Sequence, residues 1–219
     1  MIRVAVAGAA GRMGQTVCAA VEGAEGLELT GRADPALGTS VADVLGDADV
    51  LVDFTLPDQA VENARAAAHA GVHVVIGTTG WDEDALRSAV DGAPGKVFSA
   101  PNFAIGAVLM MRFAAEASRI MAKAEIIEYH HPAKVDTPSG TAARTARLME
   151  GDPPIHSVRL PGLVADQDVV LGDVAQTLTI RHQTTDRTSF MPGVLLAIRH
   201  VAQLPESPVF GLERLLWPS

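Results

Sequence analysis

The chain has 219 residues, of which 48% are hydrophobic and 20% are charged, and its mean hydropathy is +0.21. This composition excludes a disordered chain, and the longest apolar stretches, 105–111 and 190–198, are far shorter than the ~20 residues of a bilayer span. These short stretches exclude a membrane as a partner. Acidic residues outnumber basic ones by 26 to 17 and the basic ones are scattered, so we do not expect a nucleic acid either. Cys18 is the only cysteine, which excludes an internal disulfide and a cysteine-based zinc site and indicates the cytoplasm.

In the first part of the chain, short apolar runs alternate with segments of helical period up to about residue 104. The predicted strands are 2–7, 27–31, 50–54, 72–76 and 96–99, and the predicted helices are 13–21, 58–70 and 83–90. This alternation is typical of a parallel sheet covered by helices, a Rossmann-type α/β fold. Ligands of such sheets bind at the carboxyl ends of the strands.

After residue 104 the pattern changes to a second, α+β unit. A long helix is predicted over 105–122, a strand over 124–131 and a shorter helix over 139–149. Strands are predicted over 157–171 and 177–182, with no helix between them. The last predicted helix, 190–203, is apolar enough to pack on the first sheet.

A glycine loop connects the first predicted strand to the first helix. Its glycines follow the spacing G-x-x-G-x-x-G, and missing side chains there let backbone N–H groups at a helix start approach a pyrophosphate. The alternative is a tight turn with no ligand. Asp34 favours a nicotinamide dinucleotide, because a carboxylate at the end of the second strand binds the ribose hydroxyls. The candidate contacts are Gly8, Ala9, Ala10, Gly11, Arg12, Met13 and Asp34.

Three more loops follow predicted strands, at 53–55, 77–80 and 100–103. In this topology they converge on the nicotinamide half of the cofactor, although each by itself could be an ordinary loop. The candidate contacts from the last two are Gly77, Thr78, Thr79, Ala100, Pro101, Asn102 and Phe103.

The cofactor preference follows from Asp34. Its carboxylate accepts hydrogen bonds from the ribose of NADH but repels the 2′-phosphate of NADPH. Pro35 comes next, where an arginine would offset the repulsion, which leaves Arg12 and Arg32 as substitutes. We expect NADH, NADPH or both, with NADH favoured.

The densest polar segment is 125–142. His130 and His131 are neighbours at a strand end, so their side chains point to opposite faces and cannot hold one metal; we expect no metal site. His130 and Lys134 can deliver a proton, since both histidine and lysine can titrate near neutral pH. Ser139, Gly140 and Thr141 open a helix whose free N–H groups suit a substrate carboxylate. The alternative is a polar loop with a capped helix.

These segments together resemble the dihydrodipicolinate reductase family of bacterial lysine and diaminopimelate synthesis. The resemblance is carried by residues 6–14, 53–55, 77–80, 100–103 and 128–142, and it extends to 159–162 and 182–190. The chain departs from the family at Ala133, where many members have a third histidine, and at 150–156, where the family has a longer loop.

The resemblance implies a dinucleotide-binding domain of residues 1–104 with 190–219, and a domain of residues 105–189 that binds substrate and assembles a homotetramer. The family transfers a hydride from NADH or NADPH to a cyclic imine dicarboxylate, a small molecule, and loses the 4-hydroxyl as water to give tetrahydrodipicolinate. His130 matches the acid/base residue and Lys134 a proton donor. His131, Gly140 and Thr141 match contacts to the substrate's carboxylates.

Two other functions fit parts of the sequence. A redox sensor that binds a dinucleotide without turnover needs the glycine loop but has no use for His130 and Lys134. Another NAD(P)H-dependent reductase, acting on a different imine or on an amino-acid carbonyl, would use both segments. Turnover with the hydroxylated cyclic imine against simple oxo acids distinguishes the three.

Overall fold

A computed structural model describes residues 1–217 of the chain. Its strands and α-helices are, in chain order, β1 (Ile2–Ala7), α1 (Arg12–Glu22), β2 (Leu27–Ala33), α2 (Val41–Val44), β3 (Val50–Asp53), α3 (Pro57–His69), β4 (His73–Ile76), α4 (Glu83–Ala89), β5 (Val97–Ser99), α5 (Ile105–Ser118), β6 (Lys123–His130), α6 (Gly140–Leu148), β7 (Ile155–Arg159), β8 (Ala165–Asp173), β9 (Gln176–Thr184), α7 (Met191–His200), β10 (Val209–Phe210) and α8 (Glu213–Leu216). They form two compact units: the first unit is Met1–Phe103 with Phe190–Ser219, and the middle unit is Ala104–Ser189.

The first unit is built on a six-stranded sheet in the order β10-β5-β4-β3-β1-β2. All neighbouring strands are parallel, and the chain leaves β1 on one side to form β2 and returns on the other side to form β3. A reversal of this kind opens a crevice at the carboxyl ends of the strands, where the glycine loop and the loops after β3, β4 and β5 lie.

Apolar strands and small helical residues form the core of the first unit. The four residues of β3 are all buried, as expected of a parallel strand covered on both faces. Helix α3 packs on the sheet through Ala60, Ala64, Ala67 and Ala68, which are fully buried. Their helical spacing places one row of methyl groups against the strands, so the helix axis can approach closely.

The middle unit has a four-stranded sheet in the order β7-β6-β8-β9, with β6 parallel to β7 and antiparallel to β8. Gln167 and His182 are paired across β8 and β9 and share one face. Gln167 donates a hydrogen bond to Thr145 of α6, and His182 lies against Gly106 of α5. Both helices therefore cover the same face of this sheet.

The predicted fold class, a Rossmann-type parallel sheet with a second α+β unit, is confirmed. One predicted strand, 157–171, is wrong, because the structure has two strands there, β7 and β8. Pro161 lacks an N–H for the ladder and Gly162 has φ +89°, so the chain turns between them. The helix predicted over 105–122 ends at Ser118. The two-residue strand β10 was not predicted. Among residues 1–217, no helix is both long and apolar enough to cross a membrane.

Candidate active site

The glycine loop packs so tightly that side chains are excluded at two positions. Gly8 has φ +75°, and a Cβ atom there would lie 2.6 Å from the carbonyl oxygen of Phe54. A Cβ atom on Gly14 would lie 2.0 Å from the carbonyl oxygen of Gly8. Helix α1 begins directly after Gly11, which caps it without a side chain. The N–H groups of Gly8, Ala9 and Gly11 donate to backbone carbonyls, so the N–H groups that can meet a pyrophosphate belong to the first turn of α1.

Asp34 lies beside this loop. Its carboxylate accepts hydrogen bonds from the backbone N–H of Ala10 at 3.1 Å and of Ala36 at 2.9 Å. The acidic residue at the end of β2 is therefore held against the glycine loop, as a ribose-binding residue needs. Of the two arginines that could offset its charge, Arg32 is paired with Glu22 at 2.6 Å, whereas Arg12 is an exposed residue at the start of α1.

A buried carboxylate, Asp53, joins two of the candidate cofactor loops. It is 0% exposed and accepts hydrogen bonds from the backbone N–H and hydroxyl of Thr55 at 3.0 and 2.7 Å. It also accepts one from the hydroxyl of Thr78 at 3.0 Å and one from the amide of Asn63 at 2.8 Å. The carbonyl of Thr78 accepts a further bond from Trp81. Both side-chain and carbonyl oxygens of Thr78 are therefore used to fix the loop.

Aromatic rings complete this end of the sheet. The ring centroids of Phe54 and Phe103 lie 6.2 Å apart, and a Cβ atom on Gly77 would lie 2.2 Å from the ring of Phe54. Three loops predicted to converge are thus in contact through Phe54. Ala100 and Phe103 are buried, while Thr79 and Pro101 are exposed.

In the middle unit, β6 carries the histidine predicted to handle the proton. Nδ1 of His130 forms a hydrogen bond with the carboxylate of Glu128, which is 0% exposed. Arg159 on β7 donates two hydrogen bonds to the same carboxylate, at 3.0 and 2.7 Å. Burial lowers the pKa of His130; Glu128 acts in the opposite direction, and Lys134 and Arg159 lower it further. The net direction is downward, which favours a histidine that readily gives up its proton.

Lys134 lies near His130, in the loop that precedes α6. Its Nζ atom is 2.7 Å from Asp136, whose side chain is 57% exposed. The hydrogen bond from Lys134 is the main cause that lowers the pKa of Asp136, and the backbone N–H of Gly140 contributes too. Asp136 thus binds Lys134, which sequence analysis assigns to proton delivery, and the start of α6, which it assigns to a substrate carboxylate.

Helix α6 begins at Gly140 and is capped by Ser139, a buried residue whose hydroxyl accepts a hydrogen bond from Ala142 at 3.2 Å. The predicted helix start is therefore confirmed. Thr141, in the first turn of α6, and His131, directly after β6, are both half-buried. The arrangement combines a titratable histidine, a lysine and a helix N-terminus, which together suit proton delivery to an anionic substrate.

Comparisons with known proteins decide the family. The protein-family model described as dihydrodipicolinate reductase, N-terminus, matches residues 2–103. The family model described as dihydrodipicolinate reductase, C-terminus, matches residues 106–216. The chain belongs to the dihydrodipicolinate reductase family. The resemblance stated from the sequence motifs is thereby confirmed.

Relatives of the family cover nearly the whole chain. A 4-hydroxy-tetrahydrodipicolinate reductase of Beutenbergia cavernae is 48% identical, with 98% of each chain covered, and one of Thermobifida fusca is 47% identical, with 99% of each covered. A dipicolinate-bound dihydrodipicolinate reductase of Paenisporosarcina sp. TG-14 has a TM-score of 0.83 and 35% identity, covering 98% of this chain and 99% of that one. The Beutenbergia alignment runs over 246 residues, more than the 219 here, so that relative carries residues without a counterpart in this chain.

Four charged residues that the structure places at these sites were given no role by sequence analysis of this family member. These are Asp53, Glu128, Asp136 and Arg159. For Glu128 a signal was present, because residues two apart on a strand share a face, which places Glu128 beside His130. For Arg159 there was none, since its partner lies 31 positions away.

Proposed function

We propose that this family member is an NAD(P)H-dependent 4-hydroxy-tetrahydrodipicolinate reductase of lysine and diaminopimelate synthesis. The observation that carries the proposal is the association of His130 and Lys134 with the N-terminus of α6 in one segment, in a chain that also has a dinucleotide loop. A sensor without turnover has no use for that segment.

The first unit would hold the cofactor. Gly8 and Gly14 allow the glycine loop to pack against the loop after β3 and against its own backbone, and Asp34 offers its carboxylate to a ribose. The loops at 77–79 and 100–103, fixed by Asp53 and Phe54, would contact the nicotinamide half. When bound, the cofactor supplies the hydride.

The middle unit would supply the proton. Replacing the 4-hydroxyl of the substrate by a hydride breaks one C–O bond, and the departing oxygen needs one proton to leave as water. We assign the acid/base role to His130 and proton donation to Lys134. Burial, together with the positive charge of Lys134, lowers the pKa of His130 and so eases release of that proton.

Substrate carboxylates would bind at the start of α6. We assign His131, Gly140 and Thr141 to these contacts, together with the positive end of the helix. Because Asp136 binds the N–H of Gly140, a substrate carboxylate would take over that donor from Asp136. The planar pyridine-2,6-dicarboxylate should compete with the substrate for the same contacts.

NADH is the cofactor we expect this enzyme to favour. Asp34 would repel a 2′-phosphate, Pro35 carries no charge, and Arg32 is paired with Glu22. Of Arg12 and Arg32, only Arg12, which is exposed at the start of α1, could then offset that repulsion.

A homotetramer assembled by the middle unit is the expected state in the cytoplasm. Helices α5 and α6 share one face of its sheet, and the other face carries Tyr129, Asp168 and Arg181, linked by a hydrogen bond of 3.1 Å and an ion pair of 3.4 Å. A second copy could cover that face. Light scattering should then give four times the 22.8 kDa of one chain; a monomer would contradict the proposal.

Turnover tests the proposed activity. The product of condensing aspartate semialdehyde with pyruvate should be reduced with oxidation of NADH, whereas simple oxo acids should not. Pyridine-2,6-dicarboxylate should inhibit competitively against the imine. Nucleotide binding without oxidation would support a sensor instead, and preferred turnover of oxo acids would support an amino-acid dehydrogenase.

A further inference from the structure

A buried carboxylate on β6 has two partners at once, the guanidinium of Arg159 and the imidazole of His130. Glu128 is 0% exposed, and its oxygens accept two hydrogen bonds from Arg159 and contact Nδ1 of His130. Burial raises the pKa of the Glu128 carboxyl, but hydrogen bonds from Arg159, Ser157 and His130 outweigh burial, so the pKa is lowered. The group is therefore a permanent anion at neutral pH.

This geometry determines the tautomer of His130. An ionised carboxylate only accepts hydrogen bonds, so Nδ1 of His130 must carry a proton to bond with Glu128. In the neutral imidazole, the lone pair then lies on Nε2. Nε2 is thus the atom of His130 at which a proton can be taken up and released.

Arg159 extends the arrangement to the loop of Lys134. Its guanidinium donates to the carbonyl of Asp136 at 2.9 Å and reaches the hydroxyl of Thr137 at 3.4 Å. Asp136 in turn pairs with Lys134. The pair of buried Glu128 and half-buried Arg159 therefore connects both residues that we assign to proton delivery.

We propose that Glu128 is a positioning residue that fixes His130 in the Nδ1-protonated form, so that Nε2 handles the proton of the reaction, while Arg159 keeps Glu128 charged and anchors the Lys134 loop. The proposal rests on the proposed function for its link to catalysis. Its statement about the tautomer concerns the free enzyme alone.

The effect of removing the Glu128 charge has a definite sign. The charged groups around His130 are Glu128 on its own strand, Arg159 on β7, and Lys134 with Asp136 in the following loop. Of these, Glu128 raises the pKa of His130, and Lys134 and Arg159 lower it. In Glu128→Gln the pKa of His130 should fall by about one unit or more, because an opposite charge in contact typically shifts a pKa by about 1–3 units.

Nitrogen NMR of histidine-labelled enzyme without substrate tests the tautomer. In the wild type, neutral His130 should carry its proton on Nδ1. In Glu128→Gln its pKa should be lowered, and the Nδ1 preference should weaken because the single amide oxygen must also accept from Arg159. His156 on β7 pairs with the exposed Glu125 on β6 at 2.9 Å and serves as an internal control whose NMR signals should not change. An unchanged tautomer and pKa of His130 in Glu128→Gln would overturn the proposal, whether or not the enzyme reduces the imine.

Kinetics test the link to catalysis. Glu128→Gln should lower kcat about 10- to 100-fold, the usual effect of removing a group that orients a functional histidine, and should move the His130 limb of the kcat profile to lower pH. Glu128→Asp, which keeps the charge, should restore part of both effects. Glu62→Gln breaks an exposed pair with Arg65 and should leave kcat unchanged. A loss of kcat with no movement of the pH profile would indicate a merely structural role.

If Glu128→Gln does not fold, a second variant tests the same proposal. Combining Glu128→Met with Arg159→Met removes both members of the ion pair, avoids leaving the guanidinium unpaired, and leaves no oxygen at position 128 that could accept a hydrogen bond from Nδ1 of His130. The double variant should again lose the Nδ1-protonated preference of His130. Retention of that preference would contradict the proposal.

Discussion

Replacing Asp53 by asparagine should weaken both folding and cofactor binding. The carboxylate accepts four hydrogen bonds, from Thr55 twice, Thr78 and Asn63. An asparagine at position 53 keeps one oxygen acceptor but turns the other atom into an NH₂ donor, which would face the amide nitrogen of Asn63 at 2.8 Å. At least one hydrogen bond to a charged group is then lost, at full burial.

The size of the effect follows from that count. A hydrogen bond to a charged group contributes about 1.5–3 kcal/mol, so the free energy of unfolding should fall by about 2–3 kcal/mol. For a chain of this length, each kcal/mol corresponds to roughly 2–4 °C in Tm, which gives a fall of about 4–12 °C. If about 1.4 kcal/mol of this appears as disorder of the two loops, the Kd for NADH rises about tenfold.

Thermal unfolding with and without NADH, together with fluorescence titration of NADH, measures both effects. Asp91→Asn, at an exposed carboxylate before β5, is the matched control and should change stability by less than about 0.5 kcal/mol. A Tm of Asp53→Asn within about 1 °C of the wild type, with unchanged Kd, would refute the reasoning that this carboxylate holds the two loops.

Four further outcomes are expected. His130→Gln should lower kcat about 100-fold or more with NADH binding unchanged; near-normal kcat removes His130 from the mechanism. Thr141→Val should chiefly raise KM for the imine, and an effect on NADH affinity instead would contradict its assignment. Gly14→Ala should weaken NADH and NADPH alike in fluorescence titrations, because its Cβ would lie 2.0 Å from a backbone oxygen; unimpaired binding would show that the loop does not need this packing. Steady-state kinetics of the wild type should give a kcat/KM about 5- to 30-fold higher with NADH than with NADPH, and an NADPH preference would contradict the role given to Asp34.

The fold could be predicted because its signals are local. Buried parallel strands are continuous apolar runs, and helix α3 shows its alanine face at helical spacing, so the elements of the first unit follow from periodicity. The break between β7 and β8 was missed although Pro161-Gly162 marks it, because the apolar pattern continues across it. Strand β10 was missed because two residues are too few to show the alternation of apolar and polar positions that indicates a strand.

The candidate site could be predicted only where one segment contains its chemistry. The glycine loop and the segment from His130 to Thr141 are each one continuous stretch of sequence, so their residue types and spacing indicate a function. Asp53 and Glu128 could not be assigned in the same way, since Asp53 meets Thr78 25 positions away and Glu128 meets Arg159 31 positions away. Only folding brings those partners together.

Transfer of deuterium tests the proposed reaction most directly. With NADH deuterated at the transferable position and the product of aspartate semialdehyde–pyruvate condensation as substrate, each oxidised nucleotide should leave one deuterium in the tetrahydrodipicolinate detected by mass spectrometry. The same experiment with His130→Gln should give product more slowly but with the same label. Product without deuterium, or bound nucleotide that is never oxidised in the presence of the imine, would contradict the assignment of this chain as a hydride-transferring reductase.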